Sequence, residues 1–438
     1  MMSRSLRSAL LATAIAFVGA APAALADAPW SAPARVPGAA GAVYDLWFPD
    51  SGPGVLSSWC CGGFGPSVPA TRLAMSTPSD SFGAWRTLSR RIATRAVAGS
   101  GSERFAFGWI PGPEGITDNG LARLTPSGLG RPFRVLPPMT VSAEIARSPG
   151  GTFALIGQIS VHAKDRRERR SIYLTVHRPG HGFTRPAKLA GRGDQADLGV
   201  AVAPSGRALA VWARNAELFV RERYANGRLG ATRRLTRQIG TGFPTAALAP
   251  NGAAAVAWSQ AGRTAVALRP ARGRFGLPRM LEGYAGAGAE LAAYGDGRIQ
   301  LAWLGYGDKP VVRVALARGS LLGAAQTVAD ADIGPVRVAI GGDGAAVITW
   351  LARGIDGSAT LRAAVQPTGA AFFGPPETIT EKAGCCVSFL AVDPRSDRPV
   401  VAWQPSGPLP EPAYTASRDP IRGPSRRSPR RSATQRTR

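Results

Sequence analysis

The sequence has little of several things. It has three histidines, four cysteines and 28 carboxylates among 438 residues. No H-E-x-x-H, G-x-S-x-G or P-loop pattern occurs, so zincins, serine hydrolases of the nucleophile-elbow type and P-loop NTPases find no support. Helix signals are almost missing, and no helix is expected. After residue 26 no apolar run reaches the ~18 residues that a membrane-spanning helix needs. Acidic charge is the scarcest relative to its opposite: 53 basic residues give a formal net charge of +25. Only four of those are lysines (Lys164, Lys188, Lys309, Lys382). The Arg-rich, Ala-rich usage is that of a GC-rich genome, and it accounts for part of the charge.

What is present is a repeat. Residues 198–235 read LGVAVAPSGRALAVWARNAELFVRERYANGRLGATRRL. Alternating residues around Val200 and Val202 end at Pro204-Ser205-Gly206, a turn in which Pro sets φ and Gly accepts a positive φ. Arg207–Trp212 is a second apolar strand and Leu218–Arg223 a third. Asn226-Gly227 is a hairpin signal, and a fourth strand runs over 229–235. Four short strands in succession form an antiparallel meander. One meander cannot bury both its faces, so it needs copies of itself.

The copies are visible. The Trp of the second strand recurs at Trp59, Trp109, Trp212, Trp258, Trp303, Trp350 and Trp403, and between 109 and 212 the slot falls on Gly157. Gly206, Gly252, Gly297 and Gly344 each stand six residues before their Trp. The simplest role for such a Trp is core packing between neighbouring copies, although sugar-binding propellers also repeat an aromatic. The fourth strand carries an apolar residue, often Gly, then Pro. It reads Phe275-Gly276-Leu277-Pro278 and Phe373-Gly374-Pro375-Pro376, with looser copies from Phe82, Leu129, Phe183, Leu229 and Leu322. Proline confines a strand to a sheet edge, and an outer edge that carries it resists edge-to-edge association.

The chain ends complete the count. A lone fourth strand lies at 30–36, and three strands (387–392, 399–403, 413–418) lie at the other end. One plus three makes a further unit in which both termini pair. The expected architecture is therefore all-β: an eight-bladed β-propeller of four-stranded antiparallel blades. A seven-bladed ring is the alternative, because blade 3 is the least regular copy.

Residues 1–26 read as a secretory signal peptide: Arg4 and Arg7, an apolar stretch from Ala9 to Ala20, and Ala24-Leu25-Ala26 before the cleavage point. Its removal lowers the formal net charge from +25 to +23. The mature chain is expected to be secreted or associated with the cell envelope, with no transmembrane segment, and to be a monomer. Residues 27–420 form the single propeller domain. Residues 421–438, an Arg/Ser-rich tail without apolar periodicity, are expected to be disordered.

The fourth-strand stretches Phe82-Gly83-Ala84-Trp85 and Phe275-Gly276-Leu277-Pro278 resemble the repeat of secreted bacterial sialidase-like (BNR-type) propellers. The resemblance covers nearly the whole mature chain and implies the fold. The Asp-box S-x-D-x-G-x-T-W is missing; Ser79 to Trp85 has the wrong spacing. No residues match the Arg triad, Tyr nucleophile or acid of those enzymes, so the resemblance does not carry their activity over. The Trp-Asp dipeptide of WD repeats and the tryptophan-docking pattern of quinoprotein dehydrogenases are missing too.

Function is read from charge and from the inter-blade connections. A basic surface favours anionic polymers, but no nucleic-acid-binding motif appears and aromatics do not interleave with Arg, so no specific nucleic acid is expected. The first reading is a non-enzymatic binding propeller for a glycan, an anionic envelope polymer or a protein. The alternative is a glycan-processing enzyme, a sialidase-like hydrolase or polysaccharide lyase; clustered acids and Arg at the channel mouth would favour it. Candidate ligand-binding residues in the connections are Asp194, Glu282, Tyr284, Asp330, Asp332 and Glu381. Catalytic residues are not assigned. No cofactor is expected, although the paired acids Asp330 and Asp332 are of a kind that could bind calcium. The histidines His162, His177 and His181 all fall in blade 3, which reads as a drifted copy rather than a ligand site.

The cysteines form two adjacent pairs, Cys60-Cys61 and Cys385-Cys386. The repeat register puts the first pair after the second strand of blade 1 and the second pair before the first strand of blade 8. Those positions share a disc face, and blades 8 and 1 are neighbours in a closed ring. Bridges between the pairs would close a loop of about 325 residues, for which the chain-entropy model gives at most roughly 5–6 kcal/mol. Vicinal disulfides or a metal site are the alternatives; adjacent cysteines lack the usual zinc spacing. Peptide mapping without reduction is expected to recover a fragment with Cys60 or Cys61 linked to one with Cys385 or Cys386. Vicinal links or free thiols would contradict this.

Overall fold

The computed structural model describes residues 29–420, apart from 39–41, 60–70, 78–80, 90–91, 112–116, 139, 163–167, 192–196, 238–243, 282–288, 307–308, 331–335, 354–358, 384–387 and 406–411. The cysteines, the signal segment and the Arg/Ser-rich tail lie outside the described residues. The strands form eight antiparallel sheets, not seven, and the only helical element among the described residues is a short 3-10 turn at Pro149–Gly151. Blade 4 shows the unit: Leu198–Val202, Ala208–Arg214, Glu217–Arg223 and Arg233–Thr236, paired in that order. In blades 3 and 6 the fourth strand is interrupted and pairs in two pieces.

The first strands of the eight blades touch in order all the way round, from Ala42–Trp47 of blade 1 to Ser388–Asp393 of blade 8 and back to blade 1. That circuit is the inner wall of a ring. The last blade is built from both chain ends: Ala34 and Arg35 pair with Thr415 and Tyr414, outside Arg398–Trp403 and Ser388–Asp393. The pairing is shorter than the expected 30–36, but the bond from Ser31 N–H to the Ser417 carbonyl extends it.

That bond is the eighth instance of one contact. Gly83, Gly130, Gly230, Gly276, Gly323 and Gly374, with Thr184 in blade 3, each follow the motif's apolar residue and donate their N–H to a third-strand carbonyl. The fourth-strand motif therefore exists to anchor an outer edge. In blade 5, Gly276 bonds to Leu268, Pro278 follows with no donor to lose, and pairing resumes at Arg279.

Each blade buries both sheet faces against its neighbours, which explains strands rich in Ala and Val. Trp212, Trp258, Trp303, Trp350 and Trp403 are fully buried. Each joins its own blade to the preceding one: Trp212 packs in a cluster with Ile156 and Leu174 of blade 3, and Trp303 with Val266 and Leu268 of blade 5. Trp109 is half-buried instead, with the Arg95 guanidinium 5.2 Å from its ring centre. At Gly157 the missing indole is replaced from outside. A Cβ there would come within 2.5 Å of Leu136 Cδ1, so Leu136, from the preceding connection, takes the volume.

Candidate binding site at the channel wall

An inner strand has a free edge, and its N–H and C=O groups must find partners or water. On blade 2 the protein supplies them. The Asp45 carboxylate of blade 1 accepts the Val97 N–H at 2.9 Å, and Arg147 of blade 3 donates to the Val97 carbonyl at 3.0 Å. Asp45 and Arg147 also pair with each other at 2.6 Å. Blade 2 is thus clamped from both sides by an ion pair that reaches across it. Asp45 is buried, and its charge is tolerated because a guanidinium and a backbone N–H both address it.

Two more ion pairs bridge adjacent inner strands near their starts. Arg95 of blade 2 meets Glu144 of blade 3 at 3.5 Å and donates to the Ala143 carbonyl. Glu290 of blade 6 meets Arg337 of blade 7. Glu144, Glu290 and Arg337 occupy equivalent registers, each one residue past the Trp-slot pairing. Blades 2 and 3 stand opposite blades 6 and 7 in an eight-membered ring, so the two pairs face each other across the channel with their signs reversed. Burial pushes the Glu144 carboxyl up, and Arg95 beside it pulls part of that back. Asp197, just before the first strand of blade 4, is also raised by burial.

The candidates read from sequence fare differently. Asp330 ends the fourth strand of blade 6 and Glu381 lies in that of blade 7; both are exposed. Both lie toward the disc face where the inner strands begin, as the register requires. No hydrogen bond or ion pair joins them among the described residues. Asp194, Glu282, Tyr284 and Asp332 lie outside the described residues. Among the described residues no group of three or more His, Cys, Asp or Glu could hold a metal ion. The wall residues Asp45, Arg95, Glu144, Arg147, Glu290 and Arg337 were missed. The signal that would have found them is a charged residue inside an otherwise apolar first strand.

His177 is a core residue. It stacks on Phe153 with ring centres 4.7 Å apart, packs on Phe105 and Phe183, and lies 3.7 Å from a Glu103 oxygen of blade 2. His181 is exposed in the following hairpin. The two do not act together, which fits a drifted blade.

No protein-family model matches this chain, and no curated protein matches it. Solved structures do. A mutant puromycin hydrolase complexed with PGG is 16% identical with a TM-score of 0.45, over 88% of this chain and 63% of that one. The chain thus spans less than two thirds of that structure's length. NanB sialidase from Streptococcus pneumoniae is 8% identical with a TM-score of 0.37, over 90% of this chain and 68% of the other. A protein from Lactobacillus plantarum is 11% identical with a TM-score of 0.43, over 72% and 94%. At these identities and scores none bears on what this chain binds or turns over. The protein is an eight-bladed β-propeller with a charged inner wall. Among the described residues no helix is long and apolar enough to cross a membrane.

Burial lowers the His177 pKa, with Glu103 opposing. Above the ordinary value of 6.5 the ring is neutral in folded and unfolded chains, and the group adds no pH dependence. As pH falls below that value the unfolded chain takes up the proton first, so stability falls until the folded group titrates. Glu144 and Asp197, raised in the fold, act in the opposite direction. Thermal melting of the wild type against His177→Phe isolates the histidine: the variant is expected to lose less stability between about pH 6.5 and 5. Parallel curves would contradict the assignment.

Proposed function

We propose that this protein is an exported, non-enzymatic binding propeller for an anionic polymer of the cell envelope, a glycan foremost. The binding face is the one where the inner strands begin. One observation carries the reading: at the wall Asp45, Glu144 and Glu290 are each held by an arginine. Acid–base cleavage of a glycosidic bond needs two carboxyls about 5–9.5 Å apart that are free to trade protons. Carboxylates committed to guanidinium partners are poorly placed for that, and the two mouth pairs stand on opposite sides of the ring. Pairing the wall acids leaves the surplus of the exported chain, +23 once Arg4 and Arg7 are removed from the +25 and carried nearly all by arginine, to the surface. Arginine binds carboxylate and phosphate through a planar fork, which suits an anionic polymer.

The enzymatic reading retains one supporting observation. Glu144 and Asp197 are carboxyls raised by burial, the property a general acid needs. A sialidase-like or lyase activity would use them, with Glu144→Gln expected to abolish it.

The test is retention of the full mature chain on a panel of envelope polysaccharides, at ~0.15 M salt and again at ~0.5 M, where the Debye length is only a few Å. Retention of one or two glycans at the higher salt is expected. Equal binding of every polyanion, lost with salt, would contradict a shaped site. Shortened sugars in the eluate would favour the enzyme.

A further inference from the structure

A cleft of about 240 Å³ opens between blades 1 and 2, away from the channel wall. Pro53 and Pro126 stand at its rim, in the first-to-second-strand turn of blade 1 and the third-to-fourth-strand hairpin of blade 2. This is the disc face opposite the one where the inner strands begin. Its walls are apolar: Leu73, Met75 and Leu88 come from blade 1 and Leu124 from blade 2. Among the described residues two cations line it, Arg86 and Arg104, and no carboxylate does.

Arg104 is the half-buried member. Its Nε and Nη1 are buried and have no hydrogen-bond partner among the described residues. Burial lowers its pKa, and no acid among the described residues offsets the shift. Some buried or half-buried arginines of the ring find acids: Arg269 and Arg207 share Glu222, and Arg418 holds Glu377. Arg223, like Arg104, has no acid partner among the described residues, but it lines no apolar cleft of this kind. A guanidinium taken from water without a counter-charge is costly. An anion seated in the cleft would place a counter-charge beside this guanidinium.

We propose that this cleft binds a small amphipathic carboxylate, a medium-chain acyl anion whose head meets Arg104 and Arg86 and whose tail lies along Leu73, Leu88 and Leu124. Size decides between tails. An apolar cavity of about 150 Å³ accommodates benzene; the cleft is larger and suits a chain of roughly eight carbons. Arg86 is exposed and marks the solvent end of the head site, so the tail points inward toward the cluster of Val55, Leu73, Val97 and Leu124. The inference is independent of the glycan reading, because it concerns the other disc face and a ligand of different chemistry.

Isothermal titration of the full mature chain with octanoate, octanol and acetate tests it. Octanoate is expected to bind and to raise the melting temperature. Octanol, which lacks the charge, and acetate, which lacks the tail, should each bind at least about tenfold more weakly. Arg104→Met should lose octanoate by a similar factor while melting as a folded protein. Leu88→Glu, which supplies the counter-charge from within, should raise the melting temperature and abolish octanoate binding. Equal affinity for octanoate and octanol, or unchanged octanoate binding in Arg104→Met, would overturn the proposal. So would silence of the wild type toward octanoate.

Discussion

Everything in this molecule depends on burying both faces of every blade. A four-stranded meander of alanine and valine has no face it can leave in water, and its only partner is another copy. Eight copies in an open row would still leave two faces bare. The ring removes them by pairing Ala34 and Arg35 with Tyr414 and Thr415, so that blade 8 is complete only when both chain ends are in it. Trp403 then packs against blade 7 in the way Trp303 packs against blade 5. Trp30, from the N-terminal segment, enters the same cluster as Trp403. The energy of closure is therefore hydrophobic as well as hydrogen-bonded: full burial of one large side chain is worth roughly 1.5–3 kcal/mol.

The ring also creates the problem that the charged wall solves. Eight inner strands present free edges to the channel. Water can satisfy most of them, but at blade 2 the clamp of Asp45 and Arg147 on Val97 does so with protein groups. The same economy governs the mouth, where Arg95 with Glu144 and Arg337 with Glu290 tie adjacent inner strands together. These acids serve the architecture first. That is why the surplus arginine, rather than a carboxylate pair, points to how the protein meets a partner.

Much of this was legible in the sequence because the repeat is short-range. The Gly–Trp spacing, the Asn-Gly hairpin and the Phe-Gly-x-Pro edge each lie within one blade, and the unequal strand counts at the two ends implied closure. Blade 3 was legible as the odd copy, but the core position of His177 within it was not, since a hairpin histidine reads as a surface residue. The charged wall was not legible. Asp45 and Arg147 are about a hundred residues apart and meet only because the ring brings blades 1 and 3 to one channel. The Arg104 cleft was equally hidden, since residues of two blades far apart in sequence meet in it and a sequence does not display that meeting. The fourth strands came out shorter than expected because an edge strand is held at one anchoring bond and resumes only past the interruption.

The most direct measurement is thermal unfolding of the mature chain with residues 27–36 removed. Closure by the N-terminal strand predicts a marked loss of stability and exposure of the Trp403 interface to solvent. Adding the missing segment back as a peptide should restore part of both. An unchanged melting curve would contradict the closed ring on which the rest of this account stands.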